Sequence, residues 1–171
     1  MLYLVDASTL ISAKNSYYPL DRVPEFWDWL VHNGSVGTLK IPIETYEEFQ
    51  DKAPPSGKKD DLALWADLGH VREALLLDEE IIRDHVTRIT YDGYVKNPTD
   101  EDLEKMGRDP LLISYALRDT TNRCIVTNEI SKPRRKHANR HIPDVCADFG
   151  IRCINIFALI QKLNFSTRWQ G

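Results

Sequence analysis

No stretch of this 171-residue chain is apolar for long enough to cross a membrane. Its opening apolar run stops at an aspartate after Val5, which is too short for a secretory leader. Cysteine is scarce. Cys124, Cys146 and Cys153 form an odd set with no CxxC pair and no closely spaced histidine partner, which argues against a disulfide framework or a zinc ribbon and suits reduced, buried thiols. Positive charge is also in short supply. The 22 lysines and arginines face 26 aspartates and glutamates, for a formal net charge of −4, so the chain does not coat nucleic acid through bulk charge. Repeats, low-complexity tracts and interdomain linkers are missing too. What remains, at 42% hydrophobic residues, is enough for one domain with a real core, expected in the cytoplasm.

Four short apolar runs read as strands: Leu2–Val5, Thr38–Ile41, Cys124–Thr127 and Arg152–Ile156. Helical patterns lie between them. Thr9–Lys14 is the first. Pro24 opens a second, with Val23, Phe26, Trp27 and Leu30 on its apolar face and Asn33-Gly34 as its stop. Ile43–Asp51 follows the second strand, and the breaker Ala53-Pro54-Pro55-Ser56-Gly57 predicts a loop. Asp60–Gly69 and Asp78–Tyr91 read as two more helices, the latter striped by Ile81, Ile82, His85, Val86 and Ile89. Gly93 to Asp100 is a further break. Thr99, with Asp102 three residues on, predicts a capped helix start. Asp109-Pro110 begins a helix reaching Leu117, with Asp109 as its cap. Ile142–Phe149 ends at Gly150, and Phe157–Leu163 is last. Strands alternating with helices predict an α/β fold with a central, mostly parallel sheet. Residues from about 54 to 106 are nearly all helical and read as an insertion beside that sheet.

Carboxylates recur where such a sheet gathers its ligands, at the carboxyl ends of the strands. Asp6 ends the first strand, Glu48 lies on the helix after the second, Asp109 starts a helix, and Glu129 follows the third strand. Each has a plainer reading by itself. Asp6 and Asp109 suit helix caps, Glu48 a solvated helix face, and Glu129 an ordinary loop acid. Together they fall on one rim of the fold. Carboxylates crowded there raise one another's pKa, and a hard divalent cation such as Mg²⁺ or Mn²⁺ relieves the conflict. The chemistry this implies is phosphodiester hydrolysis, with Asp6, Asp109 and Glu129 as metal ligands and Glu48 as a further acid of the site. Ser8 and Thr127 supply hydroxyls beside it.

These same residues resemble the PIN-domain nuclease superfamily. Leu4-Val5-Asp6-Ala7-Ser8-Thr9-Leu10-Ile11 is similar to its opening strand and first acid. Thr45-Tyr46-Glu47-Glu48-Phe49 is similar to the segment carrying the second, with Glu47 and Glu44 as alternative registers. Asp109-Pro110-Leu111-Leu112-Ile113-Ser114-Tyr115-Ala116 resembles the third-acid helix, and Ile125-Val126-Thr127-Asn128-Glu129 the fourth. The tail, from His141 to Asn155, resembles a prokaryotic PIN-like branch. Glu129 stands where many members of the superfamily carry Asp. The resemblance implies a three-layer PIN-like fold and a Mg²⁺- or Mn²⁺-dependent ribonuclease. It also implies the toxin half of a toxin–antitoxin pair of the VapC kind, with an antitoxin protein as partner and a homodimer as its assembly.

The one dense positive run, Lys132-Pro133-Arg134-Arg135-Lys136-His137-Ala138-Asn139-Arg140-His141, follows Glu129 closely. It reads either as a solvated loop or as a phosphate-holding loop for RNA, with Lys132, Arg134, Arg135, Lys136 and Arg140 as contacts. Trp27, Trp29 and Trp65 read as packing residues. Two other functional readings compete. A haloacid-dehalogenase-like phosphatase also carries an Asp after its first strand, but Asp6-Ala7-Ser8-Thr9-Leu10 lacks the second Asp and the Gly-Thr that usually follow. The other is a PIN-like nucleic-acid-binding module that cuts nothing.

Overall fold

The structure is a computed structural model that describes residues 1–51 and 60–170; the breaker expected at 53–57 lies outside the described residues. Its centre is a four-stranded sheet, all parallel, made of β1 (Leu2–Val5), β2 (Leu39–Lys40), β3 (Arg123–Val126) and β4 (Arg152–Ile154) in the order β2-β1-β3-β4. β1 and β3 are therefore central neighbours, with Val5 paired to Val126, so their carboxyl ends finish side by side. The expected edge strand Thr38–Ile41 shortens to Leu39–Lys40. Ile41 leaves β1 and bridges to Leu76 instead, donating its N–H to the Leu75 carbonyl at 2.8 Å.

Alternation along the strands sorts the core into two clusters. Tyr3, Val5, Cys124 and Val126 face one side of the sheet; Leu4 and Ile125 face the other. The first side is covered by α1 (Ala7–Ser12), α2 (Pro24–Ser35), α3 (Ile43–Asp51), α4 (Asp61–Ala66), α5 (Gly69–Leu75) and α10 (Ile156–Lys162). The second is covered by α8 (Asp109–Leu117) and α9 (Ile142–Asp148), with a π-helical turn at Ile89–Tyr94 and Met106. Helices on both faces of a parallel sheet give a three-layer α/β architecture, with the α/β class and the parallel sheet as the alternation predicted. The helical stretch predicted as an insertion divides between the layers: residues 61–75 join the first face and residues 89–106 the second.

Three local differences from the periodicity have physical causes. Gly34 does not stop α2. It lies within the last turn because α5 packs there, and a Cβ on Gly34 would stand 2.7 Å from the Ala74 carbonyl oxygen. The positive φ that ends the segment belongs to Gly37. The helix expected over Asp78–Tyr91 begins only with α6 (Arg83–Arg88), because Glu79 is drawn away. Its carboxylate takes two hydrogen bonds from Arg123, at 2.7 and 2.9 Å, and one from Arg118 at 2.8 Å. The capping box does form at α7 (Asp100–Met106), where Thr99 Oγ1 accepts from Asp102 N–H at 3.2 Å and the Asp102 carboxylate accepts from Thr99 N–H at 3.1 Å.

Candidate functional site

β1 ends at Val5, and its sheet hydrogen bonding runs one residue further, with Asp6 N–H donating to the Val126 carbonyl at 2.9 Å. This fixes Asp6 at the middle of the carboxyl edge, where it is 7% exposed. Asp6 occupies the N-cap position of α1 by its backbone, yet its side chain makes no cap hydrogen bond. The carboxylate instead accepts from the Ser8 hydroxyl and from Thr127 Oγ1, the latter at 2.9 Å across the β1–β3 boundary. The two supporting hydroxyls are thus where the sequence put them, Ser8 at the solvent rim and Thr127 buried beneath. Burial drives the Asp6 pKa upward. The two hydroxyl donors oppose that rise, and the charges of Glu48 and Glu129 add to it.

Asp109 departs from expectation in one respect. Arg108 takes the N-cap position, so Asp109 is the first residue of α8 and Pro110 the second. The reason is the Arg108 side chain, which is anchored on α3 through the Glu44 carbonyl and stands 3.6 Å from the Glu47 carboxylate. Asp109 is then turned inward, and its pKa is pushed up to about 8, first by burial and then by the neighbouring carboxylates of Asp6, Glu129 and Glu48.

The three candidates for the second acid lie on α3. Glu47 leans toward Arg108, and Glu44 accepts from the Tyr115 hydroxyl at 3.3 Å, so both serve the α3–α8 junction. Glu48 is the α3 carboxylate whose charge acts on both Asp6 and Asp109. Glu129 is held from two sides. Its N–H donates to Thr127 Oγ1 at 3.2 Å, and its carboxylate accepts from the Ile142 N–H at the start of α9 at 2.8 Å. His141 Nδ1 lies 4.0 Å from the same carboxylate. Asp6, Glu48, Asp109 and Glu129 accordingly share one electrostatic neighbourhood on the strand-end rim.

Among the described residues, no three His, Cys, Asp or Glu side chains stand together as a ready ligand set. Glu129 is drawn onto α9 by its hydrogen bond from Ile142 N–H. The donor set nonetheless fits a hard cation. It is all oxygen, its charges are of one sign, and Mg²⁺ needs only one or two direct carboxylates while keeping several waters.

The basic run lies beyond Glu129. Lys132, Arg134, Arg135 and Lys136 are exposed, and among the described residues their side chains make no ion pair. Arg140 is different. It donates to the Gly93 carbonyl at 2.5 Å and the Asp144 carbonyl at 3.0 Å and pairs with Asp148 at 2.7 Å, so it holds the base of the loop rather than facing outward. Reasoning from sequence missed Tyr94, a residue 6% exposed whose hydroxyl is buried without a partner. Burial raises its pKa, with Asp109 and Glu129 among the charges that act on it. Trp27 and Trp29 are core residues, as expected, and Trp65 packs edge-on against Trp27 at 4.8 Å.

No helix among the described residues is long and apolar enough to cross a membrane. A family model described as a domain of unknown function (DUF4411) matches residues 3–167. The chain belongs to that family. No curated protein and no solved structure matches it.

Proposed function

We propose that this chain is a metal-dependent endoribonuclease that hydrolyses RNA phosphodiester bonds. One observation carries the reading. Two inward-turned aspartates at the carboxyl edge of a parallel sheet, Asp6 and Asp109, are electrostatically coupled to each other and to Glu48 and Glu129. Such crowding is costly to the fold unless a cation relieves it. Strained acid clusters of this kind mark functional sites.

Asp6 and Asp109 would hold Mg²⁺ or Mn²⁺, with Glu129 as a further ligand. What such a cation supplies to phosphodiester hydrolysis is a lowered pKa for water and charge neutralisation at the phosphoryl group. The protein's own part is positional. Ser8 and Thr127 fix one oxygen of Asp6 and leave the other free. Ile142 N–H fixes one oxygen of Glu129 in the same way. Glu48, on a different helix, would accept a proton or orient water. Arg134, Arg135 and Lys136 would hold backbone phosphates beyond the site.

A phosphatase that phosphorylates Asp6 needs a lysine close to that carboxylate, and among the described residues Asp6 has only hydroxyl donors. The toxin role and its antitoxin rest on the PIN resemblance; growth arrest on expression, abolished by Asp6→Asn, tests them. The enzymatic reading is tested by RNA cleavage with and without Mg²⁺ or Mn²⁺. Asp6→Asn and Asp109→Asn are expected to lose more than about a hundredfold in rate, roughly 3 kcal/mol of barrier. Cleavage that persists in both variants, or that needs no metal, defeats the proposal and leaves a binding module.

A further inference from the structure

The chain between α6 and α7 leaves the α-helical path in the π-helical turn Ile89–Tyr94, closed by Val95 N–H donating to the Thr90 carbonyl at 2.8 Å. This turn is clamped onto α9. Arg140 donates to the Gly93 carbonyl, and a Cβ on Gly93 would stand 2.8 Å from Val145 Cγ1, so only glycine permits the contact. Helix α9 is also the element whose first N–H holds Glu129. The turn and the acid site are therefore fixed to one support.

The turn presents two tyrosines in opposite states. Tyr91 is 45% exposed, whereas Tyr94 is buried with an orphaned hydroxyl. Both line one groove of about 530 Å³, together with Asp92, Lys96, Asn97 and His137. Its size falls within the range of about 300–1,000 Å³ typical of small-ligand sites. Lys96 makes no ion pair among the described residues, and His137 continues directly from the unpaired Arg134, Arg135 and Lys136. An exposed aromatic face, hydrogen-bonding edges and unpaired cations are what an unstacked nucleotide needs, and a paired base offers no such face.

Building on the nuclease reading, we propose that this groove seats the nucleobase beside the scissile phosphate of a single-stranded RNA. Tyr91 provides the stacking face, and Asp92 and Asn97 meet the base edge. Lys96 and the neighbouring basic run hold phosphates.

The test is binding without cleavage. A short single-stranded RNA carrying 2-aminopurine is titrated into the full chain in EDTA, with anisotropy for affinity and fluorescence quenching for stacking. Tyr91→Ala is expected to weaken binding about tenfold and abolish the quenching, while Tyr91→Phe keeps both. Tyr94→Phe is expected to leave both binding and melting temperature unchanged, because its hydroxyl is closed to the groove and satisfies nothing in the fold. Native-like binding and quenching by folded Tyr91→Ala overturns the proposal, as does failure of the native chain to bind the RNA. Failure of the nuclease reading looks different: Tyr91-dependent quenching survives while no metal yields cleavage. Failure of the groove alone appears as metal-dependent cleavage with Tyr91→Ala binding as well as the native chain.

Discussion

Replacing Asp109 by Asn should make the metal-free protein more stable at neutral pH. The Asp109 pKa is about 8 in the folded chain against 3.8 for an ordinary aspartate. Between those values the folded state binds a proton that the unfolded state has released, so stability is greatest at the acid end and falls as pH rises toward 8. The slope for one such group is about 1.4 kcal/mol per pH step, which gives a ceiling of about 3 kcal/mol between about pH 5 and pH 7. For a domain of this size that is roughly 5–10 °C in melting temperature. Asp6 is shifted in the same direction and steepens the trend. Asp60, held low by Lys14, acts with the opposite sign, but only below the ordinary aspartate value of 3.8, outside this window.

Thermal melts in EDTA across that window provide the assay. The native protein should lose melting temperature steadily as pH rises, whereas Asp109→Asn should show a shallower fall and exceed the native protein near neutrality. Millimolar Mg²⁺ or Mn²⁺ should raise the native melting temperature most at the alkaline end, where the carboxylate form dominates, and should raise that of Asp109→Asn little. A native melting temperature that climbs with pH in EDTA refutes the reasoning. So does an Asp109→Asn protein less stable than native near neutral pH, since either result means that the folded chain does not hold the Asp109 pKa above its ordinary value.

Three further substitutions probe other links. Arg134→Ala with Arg135→Ala should weaken RNA binding and flatten its dependence on salt concentration, and an unchanged salt titration means that the loop holds no phosphates. Gly34→Ala should cost about 1–3 kcal/mol in denaturant unfolding, because its Cβ meets the backbone of Ala74, and a neutral result means that α5 can move away from α2. Glu79→Ala should destabilise by about 2 kcal/mol or more by leaving the half-buried Arg123 unpaired, and restoration by a further Arg123→Met change would separate loss of pairing from loss of packing.

What the sequence made legible is what depends on local pattern and chain direction. Leu2–Val5 alternates across a sheet, so its end is fixed, and Asp6 had to reach the carboxyl edge. The partners β1 and β3 then bring Thr127 and Glu129 beside it. The capping box at Thr99 arises from neighbours three residues apart. Long-range contacts were hidden. Nothing near Arg108 in the chain announces that its side chain reaches α3 and takes the cap position from Asp109. Nothing near Arg140 announces that it clamps Gly93. The separate partners of Glu44 and Glu47 were hidden in the same way, because Glu44, Glu47 and Glu48 share one helix and only the position of α8 distinguishes them.

Tyr94 was out of reach for a further reason. Periodicity arguments assume 3.6 residues per turn, about 100° of rotation for each residue. The π-helical turn holds one extra residue in its hydrogen-bonded ring, and this rotates the succeeding residues by about that angle relative to an α-helix. The expected helix ended at Tyr91 with a break from Gly93, so the turn that carries the chain on to Tyr94 lay outside that pattern. The clamp on Gly93 stabilises the wider turn, and Gly93 tolerates that clamp only because it lacks a Cβ. A Gly93→Ala substitution therefore tests whether the tyrosine's placement depends on the turn. With 2.8 Å to Val145 Cγ1, the added methyl pushes the turn, and Tyr91 with it, away from α9, so RNA binding should fall toward that of Tyr91→Ala while the distant sheet stays folded. Native affinity in Gly93→Ala would mean that the groove does not need the π-helical geometry, and the link from backbone register to substrate contact would be broken.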